Sequence, residues 1–183
     1  ENCDGYAYDP ENPSQHIIDM SENEIEVPED YTREELRQDL LCYTSPVLKE
    51  DLVLTGDMTA ELYISSDAPD TDFVVRVTDV DENGRSIKLA DGLLSARYRN
   101  GFARSEFLQE GEIVCLKIRT TKLSNCFRKG HRIRVTVTSS AKNFIFPNSN
   151  TREGFASART VVAHNRVYHG GLHASRLTVR VEP

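Results

Sequence analysis

The chain has 183 residues, of which 38% are hydrophobic and 28% charged, with 7 Phe, 7 Tyr and no Trp; this suits one domain with a real core and excludes a disordered or fibrous chain. A net charge of -7 and a pI near 5.3 set up a field that repels phosphates, so neither nucleic acid nor an anionic membrane is an expected partner, and no apolar run is long enough to cross a bilayer. Cys3, Cys42, Cys115 and Cys126 form no CxxC pair, and a domain this large needs no stapling, so they read as free thiols of a cytoplasmic protein.

Glu1 in place of a start methionine, with no charged-then-apolar leader after it, reads as the edge of an excised piece. Residues 1–30 are rich in Pro, Asn, Asp and Glu, with Tyr6, Tyr8, Ile17 and Ile18 as scattered apolar points; without a period they predict an extended leader draped over another surface. Thr32 followed by Glu35 has the form of a capping box, and Leu36 and Leu40 recur at helical spacing, which predicts a short helix over residues 32–39.

From there the chain is punctuated into strands. Leu41–Thr44 and Leu52–Leu54 come first; then Ala60, Leu62 and Ile64 alternate with Glu61, Tyr63 and Ser65. Phe73, Val75 and Val77 alternate with Val74, Arg76 and Thr78, and Asn83-Gly84 marks a tight hairpin into the segment around Ile87 and Leu89. Leu94, Ala96 and Tyr98 continue the pattern, and Val114, Leu116 and Ile118 build a further strand. The clearest signal is Gly130–Ser140, where Ile133, Val135 and Val137 share one face and are expected to be fully buried. The stretch 141–155 reads as a long irregular loop, and residues 160–167 and 176–181 as the closing strands. About nine strands with almost no helix predict an all-β antiparallel sandwich, residues 31–183, of jelly-roll type.

Chemistry-bearing patterns are few. Asp79, Asp81, Asn83 and Gly84 copy the first half of an EF-hand loop, but position twelve is Ala90 and strands flank it, so a plain hairpin is the better reading. Asp67, Asp70 and Asp72 could hold a cation, yet suit a turn with an internal ion pair to Arg97, Arg99 or Arg132. His169 and His173 are four apart, but Gly170 and Gly171 between them oppose the helix that a metal pair would need; His16, His131 and His164 stand apart. No Gly-x-Ser-x-Gly nucleophile elbow occurs, and Ser139-Ser140 sits at a strand end. The residues therefore give no catalytic, cofactor or metal site; loop Tyr and Asn leave a carbohydrate-binding module as the alternative function.

Several motifs, in order, resemble one family. Tyr43-Thr44-Ser45-Pro46-Val47-Leu48, Ser65-Ser66-Asp67-Ala68-Pro69-Asp70-Thr71-Asp72-Phe73, Asp91-Gly92 with Arg97-Tyr98-Arg99, and Gly130-His131-Arg132-Ile133-Arg134 with Ser139-Ser140 are similar to the C-terminal domain of X-Pro dipeptidyl-peptidases and cocaine-esterase-like hydrolases. The run Tyr8-Asp9-Pro10-Glu11-Asn12-Pro13 resembles the connector that follows their catalytic domain. The resemblance implies a galactose-binding-like jelly roll without catalytic residues or cofactor, packed on an upstream α/β-hydrolase domain that carries a Ser/Asp/His triad. It also implies a small peptide or ester as the parent's substrate, with this domain walling or shielding the active site and self-association left open.

Overall fold

In a computed structural model, residues 2–18 and 28–181 are described; the remainder of the expected leader, residues 19–27, lies outside the described residues. The strands are β1 (Cys3–Tyr8), β2 (Leu40–Thr44), β3 (Leu52–Gly56), β4 (Thr59–Ser66), β5 (Asp72–Val80), β6 (Ser86–Ser95), β7 (Val114–Arg119), β8 (Leu123–Phe127), β9 (Arg132–Thr138), β10 (Ala163–Gly170), β11 (His173–Ala174) and β12 (Arg176–Thr178). One sheet runs β1-β10-β4, with β7 on the far edge of β4 and β12 continuing beside β4 where β10 leaves off. The second runs β2-β9-β5-β6, and β3 pairs with β8 in a separate ribbon. These strand pairs are all antiparallel.

The two large sheets face each other. Alternation puts Ala60, Leu62, Ile64, Leu116, Ile118 and Val167 of the first against Phe73, Val75 and Val137 of the second in one core cluster; removing each of the Leu, Ile, Val and Phe side chains from water stabilises the fold by about 1.5–3 kcal/mol. A second cluster, Leu54, Met58, Val77, Ala90 and Phe127, closes the sandwich over the β3-β8 ribbon. The expected β-sandwich is therefore what the chain forms.

Three expectations need correction. Residues 3–8 do not drape over a foreign surface: they form β1, hydrogen-bonded to β10, with Tyr6 and Tyr8 buried. Tyr8 donates to the Asn148 carbonyl, and the Tyr6 hydroxyl meets Ser139 Oγ at 2.8 Å, so two apolar points spaced by two were a strand's inward face. The helix shrinks to a single 3-10 turn, Glu34–Leu36, because the capping box never assembles. Glu35 turns instead to Ser86 Oγ and Arg134 Nη1, and Thr32 Oγ1 donates to Asp30. Of Ile133, Val135 and Val137, only Val137 is fully buried; the other two line an opening between the sheets.

The outer face of the second sheet is covered too, which explains why β5 is buried on both faces. Residues 14–18 and 28–35 lie across it. Tyr31 N–H donates to the Ser86 carbonyl, Lys88 N–H to the Glu29 carbonyl and His16 N–H to the Lys142 carbonyl, at 2.8, 2.9 and 2.7 Å.

Candidate functional site

The densest polar construction lies where β5 begins. The β5-β6 register sets Asp72 opposite Ser95, so the 3-10 turn Ala96–Tyr98 that follows β6 arrives beside Asp70. Arg97 then grips Asp70 twice, its backbone N–H donating to Oδ1 at 2.9 Å and its Nε to Oδ2 at 2.8 Å. The rest of the guanidinium donates to the carbonyls of Thr151 and Arg152, both at 3.0 Å. Asn148 Nδ2 bridges the two carboxylates, 2.7 Å from Asp70 and 2.9 Å from Asp72. Asn150, held in the left-handed region (φ 63) where asparagine is tolerated, donates through Nδ2 to the Val161 carbonyl. The loop over residues 141–155 is thus pinned at its far end by a buried charge network.

Electrostatics follow from burial. Asp70 is inaccessible to solvent, and a carboxylate there is tolerable only because four donated hydrogen bonds and the Arg97 charge face the pair. Burial pushes the Asp72 carboxyl up from its ordinary range, and the charge of Asp70 adds to this, against the hydrogen bonds from Ser95 and Asn148.

Around this network stands an aromatic shelf. Phe146 and Phe155 stack with centroids 5.7 Å apart, Tyr98 and Phe102 lie at 5.5 Å, and Phe102, Phe146 and Phe155 are 79%, 79% and 72% exposed. Below them a groove of about 300 Å³ is lined by Asp72, Ser95, Tyr98, Asn148, Phe146 and Phe155. Arg97 and Arg152 sit over the Phe107 ring at 5.1 and 4.5 Å. Three large apolar side chains this exposed are the largest departure from an ordinary polar surface in this part of the domain.

Against known proteins, residues 3–178 match the family described as the X-Pro dipeptidyl-peptidase C-terminal non-catalytic domain. The chain belongs to that family. It is 35% identical over 188 residues to the cocaine esterase of Rhodococcus sp. (strain MB1 Bresler), a match that takes in 99% of this chain and 32% of the esterase. Among solved structures, an aminopeptidase from the marine sediment archaeon Thaumarchaeota archaeon superposes with a TM-score of 0.91 at 24% identity, and an α-amino acid ester hydrolase with 0.92 at 22%. Both cover all of this chain and 33% of the solved one, and at such identities the likeness is one of fold. The chain spans about a third of the length of these three relatives.

Within this C-terminal domain the remaining candidates resolve into structural roles. Asp81 Oδ1 accepts from the backbone N–H groups of Asn83 and Arg85, closing the β5-β6 hairpin with Gly84 at φ 83, so the EF-hand half-match is turn chemistry. Of the three aspartates, Asp70 takes Arg97, while Asp67 takes His164, with Oδ2 and Nδ1 2.6 Å apart. His131 pairs with Asp79 at 2.9 Å, and among the described residues no serine hydroxyl joins either pair. His169 pairs with Asp4 at 3.1 Å, and His173 lies on β11, folded back on β10 in a hairpin. Among the described residues no group of three or more His, Cys, Asp or Glu is arranged to hold a metal, and no helix is long and apolar enough to cross a membrane.

One buried cluster had no sequence signal. On the outer face of the second sheet, Lys88 Nζ lies 2.8 Å from His16 Nε2 and pairs with Glu29 at 2.9 Å and Asp91 at 3.0 Å. His16 Nε2 also lies 3.4 Å from Asp91 and 3.6 Å from Glu29, and its Nδ1 lies 2.9 Å from the Ile18 carbonyl. Arg76, 1% exposed, lies over the Tyr31 ring and donates to the Gln15 and Ser140 carbonyls. A β-bulge hid the cluster: the register shift at Val77/Thr78 pairs Thr78 with Lys88 and Arg76 with Asp91, so two residues three apart share a face.

Proposed function

We propose that this chain is the jelly-roll accessory domain of an α/β-hydrolase-type serine hydrolase, with β1 and the residues after it belonging to the sandwich itself. The parent, on this reading, hydrolyses a small peptide or ester through an acyl-enzyme formed by its own Ser/Asp/His triad, in a reducing cytoplasm where the four free thiols persist. The family match over residues 3–178, in a chain a third the length of its esterase relative, is the observation that supports this. The aromatic shelf of Phe102, Phe146 and Phe155 is the docking surface we assign to the catalytic domain, next to the groove that this domain would help to wall.

The test compares the chain alone with the longer protein. Alone, it should give no saturable turnover of p-nitrophenyl esters or X-Pro p-nitroanilides. In the longer protein, Phe146→Ser with Phe155→Ser should lower thermal stability and expose the loop to hydrogen exchange, while the same pair leaves the isolated chain unchanged within about 0.5 kcal/mol. Turnover by the isolated chain that depends on one of its serines, or a shelf equally protected in both proteins, would refute the proposal. The stacked, exposed Phe146–Phe155 pair also suits a sugar face; sub-millimolar calorimetric binding of a glycan, lost in Phe146→Ser, would favour the carbohydrate-binding reading instead.

A further inference from the structure

In the first sheet, β10 accompanies β4 from Asn165 opposite Ser66 to Tyr168 opposite Tyr63, and β12 takes over the same edge with Arg176 opposite Glu61. Leu62 lies between and has no partner on that edge. The intervening residues, 169–175, leave the sheet in a hairpin closed by His169↔Ala174 and Gly170↔His173, with Gly171 at φ 61. The backbone is repaired locally: Ser175 N–H donates to the Tyr168 carbonyl, and Ser175 Oγ accepts from Tyr63 N–H at 2.9 Å.

The side-chain layer is not repaired. Directly paired residues share a face, so Val167 stands beside Ile64 and Leu177 beside Ala60, while nothing from that edge stands beside Leu62. The result is a cavity of about 140 Å³ between the sheets, walled by Ala60, Leu62, Val167 and Leu177 on one side and Val135 and Val137 on the other. This vacancy also accounts for the partial exposure of Val135.

We infer that this cavity is a binding site for a small neutral ligand with an apolar body the size of one substituted ring and one hydrogen-bonding atom, the chemistry of an alkylphenol. The pocket opens to solvent between the sheets, and a benzene-sized guest would supply its apolar walls with the contacts they lack. The hydrogen-bonding atom is set by Tyr43, which also lines the cavity and whose hydroxyl, shut off from solvent, makes no well-formed hydrogen bond within the described chain. Burial, with the Asp4 charge nearby, pushes the phenol's pKa upward, so the group stays a neutral donor and acceptor. Neutrality of the ligand follows from the lining, which is mostly apolar, while at the rim the His169 ring faces Asp4 and Arg176 pairs with Glu61.

The experiment is a titration of the 183-residue chain, with labelled Leu and Val methyls, by p-cresol and by toluene. Saturable shifts confined to Leu62, Val135, Val137, Val167 and Leu177 are expected, with p-cresol about fivefold tighter, the equivalent of one net hydrogen bond. Tyr43→Phe should erase that preference, and Leu177→Trp, which fills the cavity, should abolish both. Shifts that are non-saturating or scattered over the surface would overturn the assignment, as would a p-cresol preference that survives Tyr43→Phe. So would probe-free broadening of the same methyls that grows with protein concentration, since a second copy would then be the occupant. Tyr43→Phe removes one oxygen only, so it keeps the test decisive if the tryptophan variant does not fold.

Discussion

Replacing Arg97 by Met keeps most of the side-chain volume and removes the charge that the loop network depends on. Asp70, inaccessible to solvent, would retain the Arg97 backbone N–H and Asn148 Nδ2 but lose its cation, and the Thr151 and Arg152 carbonyls would lose their donor. Removing one partner of a buried ion pair costs about 3–5 kcal/mol. The two hydrogen bonds that survive on Asp70 place this case at the low end, about 3 kcal/mol. At roughly 2–4 °C per kcal/mol for a domain of this size, Tm should fall by about 6–12 °C. The pairing argument makes a sharper claim about the double variant. Arg97→Met with Asp70→Asn no longer buries an unpaired charge, so it should be more stable than Arg97→Met alone, with a coupling of about 1–3 kcal/mol. Urea unfolding of the four proteins of the cycle measures this. A loss under 1 kcal/mol for Arg97→Met, or strict additivity in the double variant, would refute the reasoning.

Gly92→Ala should destabilise the chain by about 1–3 kcal/mol, because a Cβ there would overlap the Arg119 carbonyl and crowd Thr120, both backbone; unchanged urea unfolding would show that the two segments can part. Burial pushes the Asp91 carboxyl up, but hydrogen bonds and charge from His16 and Lys88 outweigh it and bring the pKa from 3.8 to about 2. A folded-state pKa below the unfolded one gives stability that is present above about pH 4 and lost as pH falls toward 2; the lowering is worth about 2 kcal/mol, so Asp91→Asn should flatten acid unfolding over that window. Lys88→Met would leave Glu29 and Asp91 facing each other without their cation. Amide exchange at His16, Tyr31 and Lys88 should then accelerate by about 100-fold or more while Val75 and Ile118 stay protected; uniform acceleration would sink the idea of a local latch.

The sandwich was legible because its inner faces are written in period two: Ala60, Leu62 and Ile64, or Phe73, Val75 and Val77, read directly as core. The family was legible too, from the ordered motifs around Tyr43, Ser65–Phe73, Arg97–Arg99 and Gly130–Arg134. What failed did so for definite reasons. β1 carries its signal in two tyrosines among polar residues, and β8, Leu-Ser-Asn-Cys-Phe, resembles a loop until it meets β3. The Thr32/Glu35 capping box lost to tertiary partners that no local rule contains. An ion pair of Asp67, Asp70 or Asp72 with Arg97, Arg99 or Arg132 was expected, and Asp70 with Arg97 is one the fold makes; Asn148, 78 residues from Asp70, and the exposed Phe102 and Phe155 were not foreseen, because only the fold brings the long loop to the start of β5.

The two faces of the second sheet show why one half of this domain can be read and the other cannot. Its inner face is apolar, and burial there needs only hydrophobic side chains of suitable volume, a requirement many sequences meet and a periodic pattern announces. Its outer face is covered through Arg76, Lys88, Asp91, Thr78 and Ser86, each held by a named partner in the overlying residues 14–18 and 28–35. Such contacts add little net stability, since desolvation offsets much of the Coulomb attraction, but they tolerate only one register. An apolar cover could slide by two residues and still bury its surface; this one cannot move without stranding Lys88 or Glu35. The polar layer therefore fixes where residues 14–18 run. The latch between His16 and Glu29 closes through Lys88 and Asp91, and it depends on the bulge at Val77/Thr78 that turns those two side chains to the same side.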